Sequence, residues 1–411
     1  MPCSQCDHSN ILQWDVWPRT VRAPTTNDSS AQSNITWVET ALKAELGSLQ
    51  SRVYNLLSNY ANYTEFSNEG WIPSQSDTSY DSLESIHDVI HNLAGGMQGH
   101  MTYIPFSAFD PIFFLHHANV DRIFAMWQAL YPSSWITPSK AIAASYTTKI
   151  GDTQDSKTAL TPFYQKEDGT FWDSDSVRDP KVLGYSYKEV AGVSLTGQDP
   201  STHPNANSNN NNMRQVQSRV RNAINRLYGH SSPSTLALKW KSRPKSSVYL
   251  PFAKSLIADG TYREWIANVR VDKQALGGPF FIHLFLDSIP EDSAQWSFAD
   301  TLVGTMGVFA FPPMPGMEMH DHHISGTVPL TAVLTKKVLA DKLASLETEE
   351  TEPYLRSHLK VSIRTGEGKV VDATKVPSLR IYVASFVVKV PEAEDELPVW
   401  EDKGESHFDL V

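Results

Sequence analysis

Two pairs of histidines have a spacing suited to metal binding. His87 and His91, in the stretch SIHDVIHNLAGG, are four residues apart, so on a helix their imidazoles lie on one face and can reach the same ion. His116 and His117 follow in FDPIFFLHHANVDRIFAMW. Imidazole ligands without a thiolate suit copper or zinc, and copper stands higher in the affinity order. The spacing therefore predicts a metal site, although two surface histidines at this spacing also occur by chance.

The second pair follows an apolar run, Phe113 to Leu115. Burying two imidazoles there costs free energy unless their nitrogens find partners, and a metal ion can be such a partner. Adjacent residues of a helix diverge by about 100° around its axis. We therefore expect one of His116 and His117 to join the first pair as a ligand. The other should lie next to the ligands without binding the metal.

Two carboxylates lie close to the second pair in the sequence. Asp121 is four residues beyond His117, on the same face of the predicted helix, and Asp110 begins that helix. Either carboxylate could accept a ring N–H and orient a ligand. For Asp110, the role of a helix N-cap is an equally good interpretation.

The elements that must carry these residues are predicted to be helical. Apolar spacing and helix-end signals predict three helices. The first spans 37–60, the second carries His87 and His91 and ends at the Ala-Gly-Gly of 94–96, and the third spans about 111–130. The polar, asparagine-rich run 203–213 cannot bury a core and is predicted to be a linker. A short basic helix is predicted to follow at about 214–229.

Strand patterns dominate the second half of the chain. Alternating or continuous apolar runs predict strands, at 262–271, 279–286, 359–365 and 379–390, with one helix near 331–347. We predict a multidomain α+β protein in which a mainly helical domain precedes a C-terminal β-sandwich or barrel. The predicted divisions are an irregular segment 1–35, a helical domain 36–190, a linker with a short helix 191–240, a β domain 241–400 and a tail 401–411.

The composition is that of an ordinary globular protein, with 40% hydrophobic and 20% charged residues. A net charge of −11 argues against nucleic acid or an anionic membrane as partner, because phosphates need clustered Lys and Arg. No stretch approaches the roughly 20 apolar residues of a membrane helix, and the start MPCSQCDHSN lacks the apolar core of a secretory signal. From these features we expect a cytoplasmic protein.

Cys3 and Cys6 are the only cysteines in the chain, so no disulfide framework is expected. Their Cys-x-x-Cys spacing, followed by His8, could bind a soft metal. An irregular terminal segment without a metal site is the other interpretation.

The histidine motifs resemble those of a known family. The His-x-x-x-His motif with its following Gly-Gly, and then FDPIFFLHHANVDRIF, resemble the second copper half-site of the type-3 copper proteins: tyrosinases, catechol oxidases and molluscan haemocyanins. GYSYKEV (184–190) resembles the Tyr-x-Tyr motif that closes their catalytic domain, and residues 261–286 resemble the C-terminal β domain of fungal tyrosinases. The resemblance implies part of a four-helix bundle under a β-rich lid domain.

The resemblance also implies roles for individual residues. His87, His91 and His117 match the copper ligands, and His116 matches their neighbour that does not bind copper. Glu84 matches the carboxylate that holds a water used as base towards the phenol. Relatives that hydroxylate monophenols often carry Asn at the position of Asp88, where Asp either acts as a similar acceptor or binds the proton too tightly.

One feature of the family pattern is absent from the sequence. The family uses two copper ions, each held by three histidines, whereas His8 is the only histidine before His87. Three explanations stay open: a truncated gene model, a shortened protein, or a partner chain that supplies the first copper ion. A copper chaperone is a further possible partner.

The C-terminal domain of fungal relatives inserts an aromatic residue into the copper site. Phe311, with Phe309 second, is predicted to be this lid residue, and burial of both in the β core is the alternative. Thioethers and imidazoles then crowd into ten residues and predict a copper relay, or else a polar loop whose histidines occur by chance. These side chains belong to Met314, Met317, Met319, His320, His322 and His323.

We therefore expect a tyrosinase-like copper oxidoreductase that oxidises phenols or catechols with dioxygen to o-quinones, by monophenol hydroxylation, o-diphenol oxidation or both. A role in fungal pigment or secondary-metabolite synthesis fits the resemblance. The alternative is a catalytically inactive, truncated relative that binds one copper ion. The fungal type of linker and C-terminal domain speak against an oxygen carrier.

Overall fold

The structure is a computed structural model that describes residues 17–72, 79–141, 144, 147–196, 206–241, 255–311, 322–376, 378–401 and 403–411. Within these residues a helical domain is followed by a domain of antiparallel sheets, which confirms the predicted multidomain α+β architecture. No helix in this part of the chain is both long and apolar enough to cross a membrane.

The helices around the histidines form as predicted. The described helices are α1 (Ile35–Asn59), α2 (Tyr63–Ser67), α3 (Leu83–Gly95), α4 (Ile104–Ser107), α5 (Ile112–Leu130), α6 (Ala206–Leu227), α7 (Pro233–Lys241), α8 (Thr331–Leu339) and α9 (Thr348–His358). Short 3₁₀ helices lie at His100–Thr102, Pro180–Leu183, Ser293–Phe298 and Ala373–Lys375. Helices α3 and α5 carry the two histidine pairs.

Local sequence explains where these two helices begin and end. The Ser82 side chain caps α3 by accepting the backbone N–H of Ser85 at 3.0 Å. Gly96, with a φ of 63°, follows the last residue of α3, at a position where a side chain would be strained. Helix α5 begins directly after Pro111, whose missing N–H costs nothing at a helix start.

A buried aromatic cluster holds the helical domain together. Trp127 of α5 is fully buried and stacks on Phe66 with 4.4 Å between the ring centroids. Its indole N–H donates to the carbonyl of Tyr60 at 2.7 Å. This cluster fixes the C-terminal half of α5 against α1 and α2 and thereby sets the direction in which the histidine half of α5 extends.

The prediction of a linker at 203–213 is wrong for residues 206–213, because these residues form the start of α6. Val216, Val220 and Ile224 recur at four-residue spacing and are buried in the same core as Trp127. Packing of this apolar stripe supplies the stabilisation that an asparagine-rich sequence lacks on its own. The helix predicted at about 214–229 therefore extends further towards the N-terminus.

The second half of the chain forms an antiparallel β domain. Its strands are β3 (Thr261–Asp272), β4 (Phe280–Leu286), β5 (Leu302–Val308), β6 (His323–Pro329), β7 (Leu359–Thr365), β8 (Val370–Val371), β9 (Arg380–Lys389), β10 (Val399–Trp400) and β11 (Glu405–Asp409). Two short strands, β1 (Ser139–Lys140) and β2 (Thr153–Gln154), lie in the first half of the chain. Strands β1 and β2 pair with each other. The others form one sheet in the order β10-β9-β3-β6, with β11 also on β9, and a second sheet in the order β5-β4-β7-β8.

Residues from both larger sheets share one hydrophobic core, as expected for a sandwich. Trp265 and Val269 of β3 are fully buried in the same cluster as Phe280 and Ile282 of β4. The prediction of a tail at 401–411 is wrong for Glu405–Asp409. These residues form β11, which pairs with β9 and adds Phe408 to this core.

The prediction of one helix near 331–347 is also wrong, because the structure has α8 and α9 around this range. Asp341 has a φ of 55°, which no helix tolerates, and it lies two residues after the end of α8.

The β domain rests directly on α3. A Cβ atom added to Gly307 of β5 would lie 2.8 Å from Nδ2 of Asn92 and 3.0 Å from Cα of Val89, both on α3. A Cβ atom added to Gly326 of β6 would lie 2.3 Å from Oγ of Ser85, also on α3. The missing side chains of these two glycines allow strand and helix to approach closely, next to the histidines.

Buried polar groups also join the two domains. Arg52 of α1 forms two hydrogen bonds with Asp81, at 2.7 and 2.6 Å, and Asp81 accepts the hydroxyl of Thr327 of β6 at 2.8 Å. Glu45 of α1 is hydrogen-bonded to Thr305 of β5 through Oε1, while its Oε2 has no partner among the described residues. Burial raises the pKa of Glu45 to about 7.

Replacing Gly307 with Ala should destabilise the protein by about 1–3 kcal/mol, because the added methyl group overpacks the contact with α3. Gly47 is the matched control: it lies within α1 and an added Cβ would have nothing within 4 Å, so Gly47→Ala should stabilise by about 0.5–1 kcal/mol. Urea unfolding of both variants measures the difference. Wild-type stability in Gly307→Ala would show that β5 does not rest tightly on α3.

Replacing Glu45 with Gln should stabilise the protein at pH 8 by roughly 1–3 kcal/mol. The folded carboxyl has a raised pKa, so its ionisation costs stability; the cost is absent below the ordinary pKa of 4.5 and complete once the pH exceeds about 7. Thermal unfolding should show equal Tm values for both proteins at pH 4 and a higher Tm for the variant at pH 8. Glu39→Gln, an exposed change in α1, is the control, and a variant without any advantage at pH 8 would contradict this account.

Candidate metal centre

Helices α3 and α5 bring all four predicted histidines together. Nε2 of His87 and Nε2 of His117 are 3.1 Å apart. The ring centroids of His87 and His91 are 4.5 Å apart, and those of His91 and His116 are 5.2 Å apart. Four imidazoles thus form one cluster that is partly open to solvent on the side of α5.

Hydrogen bonds decide which ring nitrogen is free to bind a metal. The Nδ1–H of His91 donates to the carbonyl of Met101 at 3.0 Å, and the Nδ1–H of His117 donates to the carbonyl of Phe113 at 2.8 Å. A carbonyl can only accept, so the donor is Nδ1 and the lone pair lies on Nε2. Such support of one ring nitrogen by a backbone carbonyl is usual for histidines that bind metals.

Three observations test whether a metal ion fits this cluster. The Nε2 atoms of His91 and His116 are buried without a hydrogen-bond partner among the described residues. Nε2 of His117 is an acceptor at 3.1 Å from Nε2 of His87, so a proton or a cation must lie between them. Two nitrogens that bind one ion through bonds of about 2.0–2.1 Å in a tetrahedral arrangement are about 3.3 Å apart. A copper or zinc ion therefore fits.

His116 and His117 compete for the third ligand position. His87, His91 and His116 offer ligand atoms that all lie within 4.8 Å of one another. His117 has the shorter contact to His87 and the carbonyl-supported Nδ1, whereas the ring of His116 is stacked nearly parallel to that of His87, at 12°. We favour His117 as the ligand for these reasons, and its assignment stays a prediction.

The electrostatics of the cluster keep the imidazoles neutral. Burial lowers the pKa of all four histidines. The proximity of other rings lowers it further for His91, His116 and His117, and for His116 the pKa falls to about 3. Neutral imidazole is the form that binds metal ions. The cluster is therefore ready to accept a cation at neutral pH without first releasing protons from these rings.

Two carboxylates lie beside the cluster. Oδ1 of Asp88 is 2.9 Å from Nδ1 of His87, and Oδ2 accepts the N–H of Phe309 at 3.4 Å. Burial raises the pKa of Asp88 to about 8. Oε2 of Glu84, one turn before His87, accepts the backbone N–H of Glu69 at 3.1 Å. Both predicted catalytic carboxylates thus lie on α3 next to the first histidine, and their catalytic roles stay predictions.

Comparison with known sequences decides the family. The family described as the common central domain of tyrosinase matches residues 2–130, and the one described as the tyrosinase C-terminal domain matches residues 264–383. The chain belongs to the tyrosinase family of type-3 copper proteins. Members of this family bind copper, which agrees with the histidine cluster.

Individual relatives are similar along most of the chain. The tyrosinase of Neurospora crassa is 29% identical over 92% of this chain and 66% of that protein, and the tyrosinase of Podospora anserina is 31% identical over 81% and 63%. The solved structure of recombinant mushroom tyrosinase has a TM-score of 0.71 and 25% identity, over 96% of this chain and 66% of that one. The chain spans a little under two thirds of the length of these tyrosinases.

The prediction that Asp121 orients a histidine is wrong. Asp121 accepts the hydroxyls of Tyr185 and Tyr187, both at 2.7 Å, and Tyr187 belongs to the Tyr-x-Tyr motif of the tyrosinase resemblance. Side chains of a helix lean towards its N-terminus, so the ring of His117 meets the carbonyl of Phe113, one turn before it, and not a carboxylate one turn after it.

Asp110 lies one residue before Pro111, which is the N-cap of α5, so it is close to the predicted N-cap position but does not occupy it. It accepts the backbone N–H of Ile112 at 3.0 Å near the start of α5 and two hydrogen bonds from Arg22, at 2.8 and 2.6 Å. This pair ties the segment before α1 to the start of α5.

The aromatic residue of the β domain that covers the cluster is Phe309, the second of the two predicted lid residues, and not Phe311. The ring of Phe309 stacks on His91 with 4.2 Å between centroids and an angle of 22°. It is the first residue after β5, and its backbone N–H donates to Oδ2 of Asp88 on α3. Phe311, two residues later, is only partly buried.

The predicted copper relay lies mostly outside the described residues. This holds for Met314, Met317, Met319 and His320, and also for Cys3, Cys6 and His8. Within the described part, His322 is partly buried and His323 begins β6 on the exposed side. The relay stays a prediction.

Some residues of the site were not predicted. Phe113 packs on His117 with 3.9 Å between ring centroids, a contact that its four-residue spacing from His117 could have indicated. No sequence motif marks Glu69 or the carbonyl of Met101 as part of the site.

Replacing His117 with Asn should lower the affinity of the chain for copper by about 100-fold or more, whereas His116→Asn should lower it by about tenfold or less. The reason is that only His117 has both a carbonyl-supported Nδ1 and an Nε2 facing that of His87. Competition titrations with a Cu(I) chelator measure both affinities. The reverse order of the two effects would assign the third ligand to His116.

Proposed function

We propose that this chain carries one copper ion of a tyrosinase-like enzyme that oxidises phenols or catechols to o-quinones with dioxygen. The observation that carries the proposal is the clustering of imidazoles from α3 and α5. Nε2 of His117 is 3.1 Å from that of His87, and backbone carbonyls support Nδ1 of His91 and of His117. The relatives named tyrosinase and polyphenol oxidase support the reaction class. The monophenol or diphenol preference, and a role in pigment or secondary-metabolite synthesis, are further parts of the proposal.

His87, His91 and His117 would hold the ion. Bound copper would supply the redox chemistry through which dioxygen takes up the two electrons of a catechol. The protein must also accept the protons of the phenolic hydroxyls, and Glu84 is a carboxylate beside His87 that can do so. Asp88, whose pKa burial raises to about 8, can do so only in its ionised form. Phe309 excludes water from the side of His91.

An apolar surface next to the cluster supports the proposal of a partner. Phe109, Phe114 and Leu115 are 73%, 64% and 74% exposed, and the ring of Phe114 packs on Phe113, which packs on His117. Large exposed apolar groups side by side are typical of interaction sites. We propose that a polypeptide carrying three further histidines covers this surface and completes the copper pair used in the family.

In the second candidate function, the chain is a catalytically inactive tyrosinase relative that binds one copper ion and does not oxidise phenols. It is supported by the number of ligand groups, since the part of the chain that the structure describes contains one cluster of three or more close metal ligands. A cytoplasmic location also stays part of the proposal.

The experiment is isolation of the tagged chain under native conditions from cells that express it. We expect retained copper and catechol-dependent oxygen uptake, and a decrease in both by at least about tenfold in His91→Asn, because a ligand is lost. His230→Asn, a change of an exposed histidine outside the cluster, is the matched control and should keep both. One copper ion per chain without oxygen uptake would support the second candidate instead.

A further inference from the structure

Positive charge is concentrated in one segment of this acidic chain. Residues 200–258 contain nine Lys and Arg and no Asp or Glu, although the whole chain has a net charge of −11. Helix α6 lies in this segment and carries four arginines and no acidic residue. A local excess of one sign of charge attracts groups of the opposite sign. The surface of α6 therefore favours an anionic partner.

Packing fixes which arginines of α6 point outwards. Val216, Val220 and Ile224 are buried in the core of the helical domain and define the inner face of the helix. Arg219 and Arg226 are exposed. They are seven residues apart, which is two turns, so their side chains leave the helix on the same side. At a rise of 1.5 Å per residue, the two positions are about 10 Å apart along the axis.

A groove lies between this side of α6 and the chain that follows the Tyr-x-Tyr motif. Its volume is about 540 Å³. Three cations line it, Lys188, Arg219 and Arg226, and we call it the basic groove. The amide side chains of Gln215 and Asn222 lie beside these cations.

The acidic group in the basic groove is already paired. The carboxylate of Glu189 accepts two hydrogen bonds from Arg122, at 2.6 and 3.2 Å. Arg219 donates to two backbone carbonyls, one of them that of Glu189 at 2.9 Å, which fixes its position and leaves its charge uncompensated. Lys188 and Arg226 have no hydrogen-bond or ion-pair partner in the part of the chain that the structure describes. The three cations are therefore available to an incoming anion.

The neighbouring face of α6 shows how this helix holds an acidic peptide segment. Nδ2 of Asn225 donates to the backbone carbonyls of Glu394 and Glu396, at 2.7 and 2.8 Å. The hydroxyl of Ser218 donates to the carboxylate of Asp395 at 2.9 Å. Amide groups of α6 thus hold the peptide backbone, while another polar side chain holds a carboxylate. The basic groove offers amides and cations, which suit the same kind of ligand.

The dimensions of the basic groove also fit a peptide. The distance of about 10 Å between Arg219 and Arg226 is the span of three residues of an extended chain, at about 3.3 Å each. Nucleic acid fits less well, because its phosphates would continue past the groove towards the rest of the chain, where all 46 Asp and Glu lie.

We propose that the basic groove is a docking site for an acidic segment of a partner polypeptide. Carboxylates of that segment would pair with Lys188, Arg219 and Arg226. Tyr187, directly before Lys188, donates to Asp121 of α5, so the partner would lie beside the helix that carries two of the clustered histidines. The proposal does not rest on the proposed function, because the groove contains no residue assigned to copper.

The test measures binding of a short fluorescein-labelled peptide of Glu-Gly-Gly repeats to the full chain by fluorescence anisotropy at low ionic strength. A peptide of Gln-Gly-Gly repeats is the uncharged probe. The main variant is Lys188→Gln with Arg226→Gln, which should keep the wild-type Tm because neither side chain has a partner among the described residues. The matched control, Arg19→Gln with Arg214→Gln, changes the net charge equally by removing two exposed cations outside the groove.

We expect the Glu probe to bind the wild-type chain at least about tenfold more tightly than the Gln probe. The main variant should weaken binding of the Glu probe by at least about tenfold, and the control by less than about twofold. Raising the ionic strength to about 0.15 M should weaken the wild-type interaction, because salt screens exposed charges.

Several results would overturn the proposal, whatever the copper chemistry of the chain. These are a wild-type chain that does not bind the Glu probe, a main variant that binds it like the wild type, and equal losses in the main variant and the control. Tighter binding of a single-stranded oligonucleotide, or of vesicles containing phosphatidylserine, that is lost in the main variant would assign the basic groove to nucleic acid or to a membrane surface and would also overturn it.

Discussion

The contact between Nε2 of His87 and Nε2 of His117 is the constraint on which the account of the site depends. The carbonyl of Phe113 fixes Nδ1 of His117 as a donor, so Nε2 presents a lone pair to His87 at 3.1 Å. Such a contact is favourable only with a proton or a cation between the two nitrogens. The Nε2 of His91 is buried without a partner among the described residues, and its ring centroid is 5.3 Å from that of His117. One ion bound by these rings would satisfy their free nitrogens together, and this is the central claim about the site.

The β domain contributes more than a cover to this site. It approaches α3 through Gly307, places the ring of Phe309 on His91, and brings Lys273 to Glu69. A motion of the β domain would therefore change the environment of the ligands and of the carboxylates together. Burial within the same interface raises the pKa of Glu45, so ionisation of this carboxyl costs stability as the pH rises above its ordinary pKa of 4.5.

The sequence was informative wherever a local rule applied. The four-residue spacing of the histidines, the glycine end of α3 and the alternation of β3 all predict elements that the structure contains. The sequence was misleading where the direction of a side chain or its packing against distant residues decided which groups are in contact. The lean of helical side chains takes His117 to a carbonyl and leaves Asp121 to two tyrosines, and the exact end of β5 places Phe309 over the site and Phe311 beyond it. The pair of Lys273 and Glu69 joins residues 204 positions apart, for which no local pattern exists.

The most direct test of the central claim is a crystal structure of the copper-loaded protein with anomalous data collected at the copper edge. The account predicts one strong anomalous peak in the described part of the chain, bonded at about 2.0–2.1 Å to Nε2 of His87, His91 and His117. A copper peak that is bonded to His116 in place of His117 would require a different third ligand. A peak at His322 and His323 with none between α3 and α5 would contradict the account.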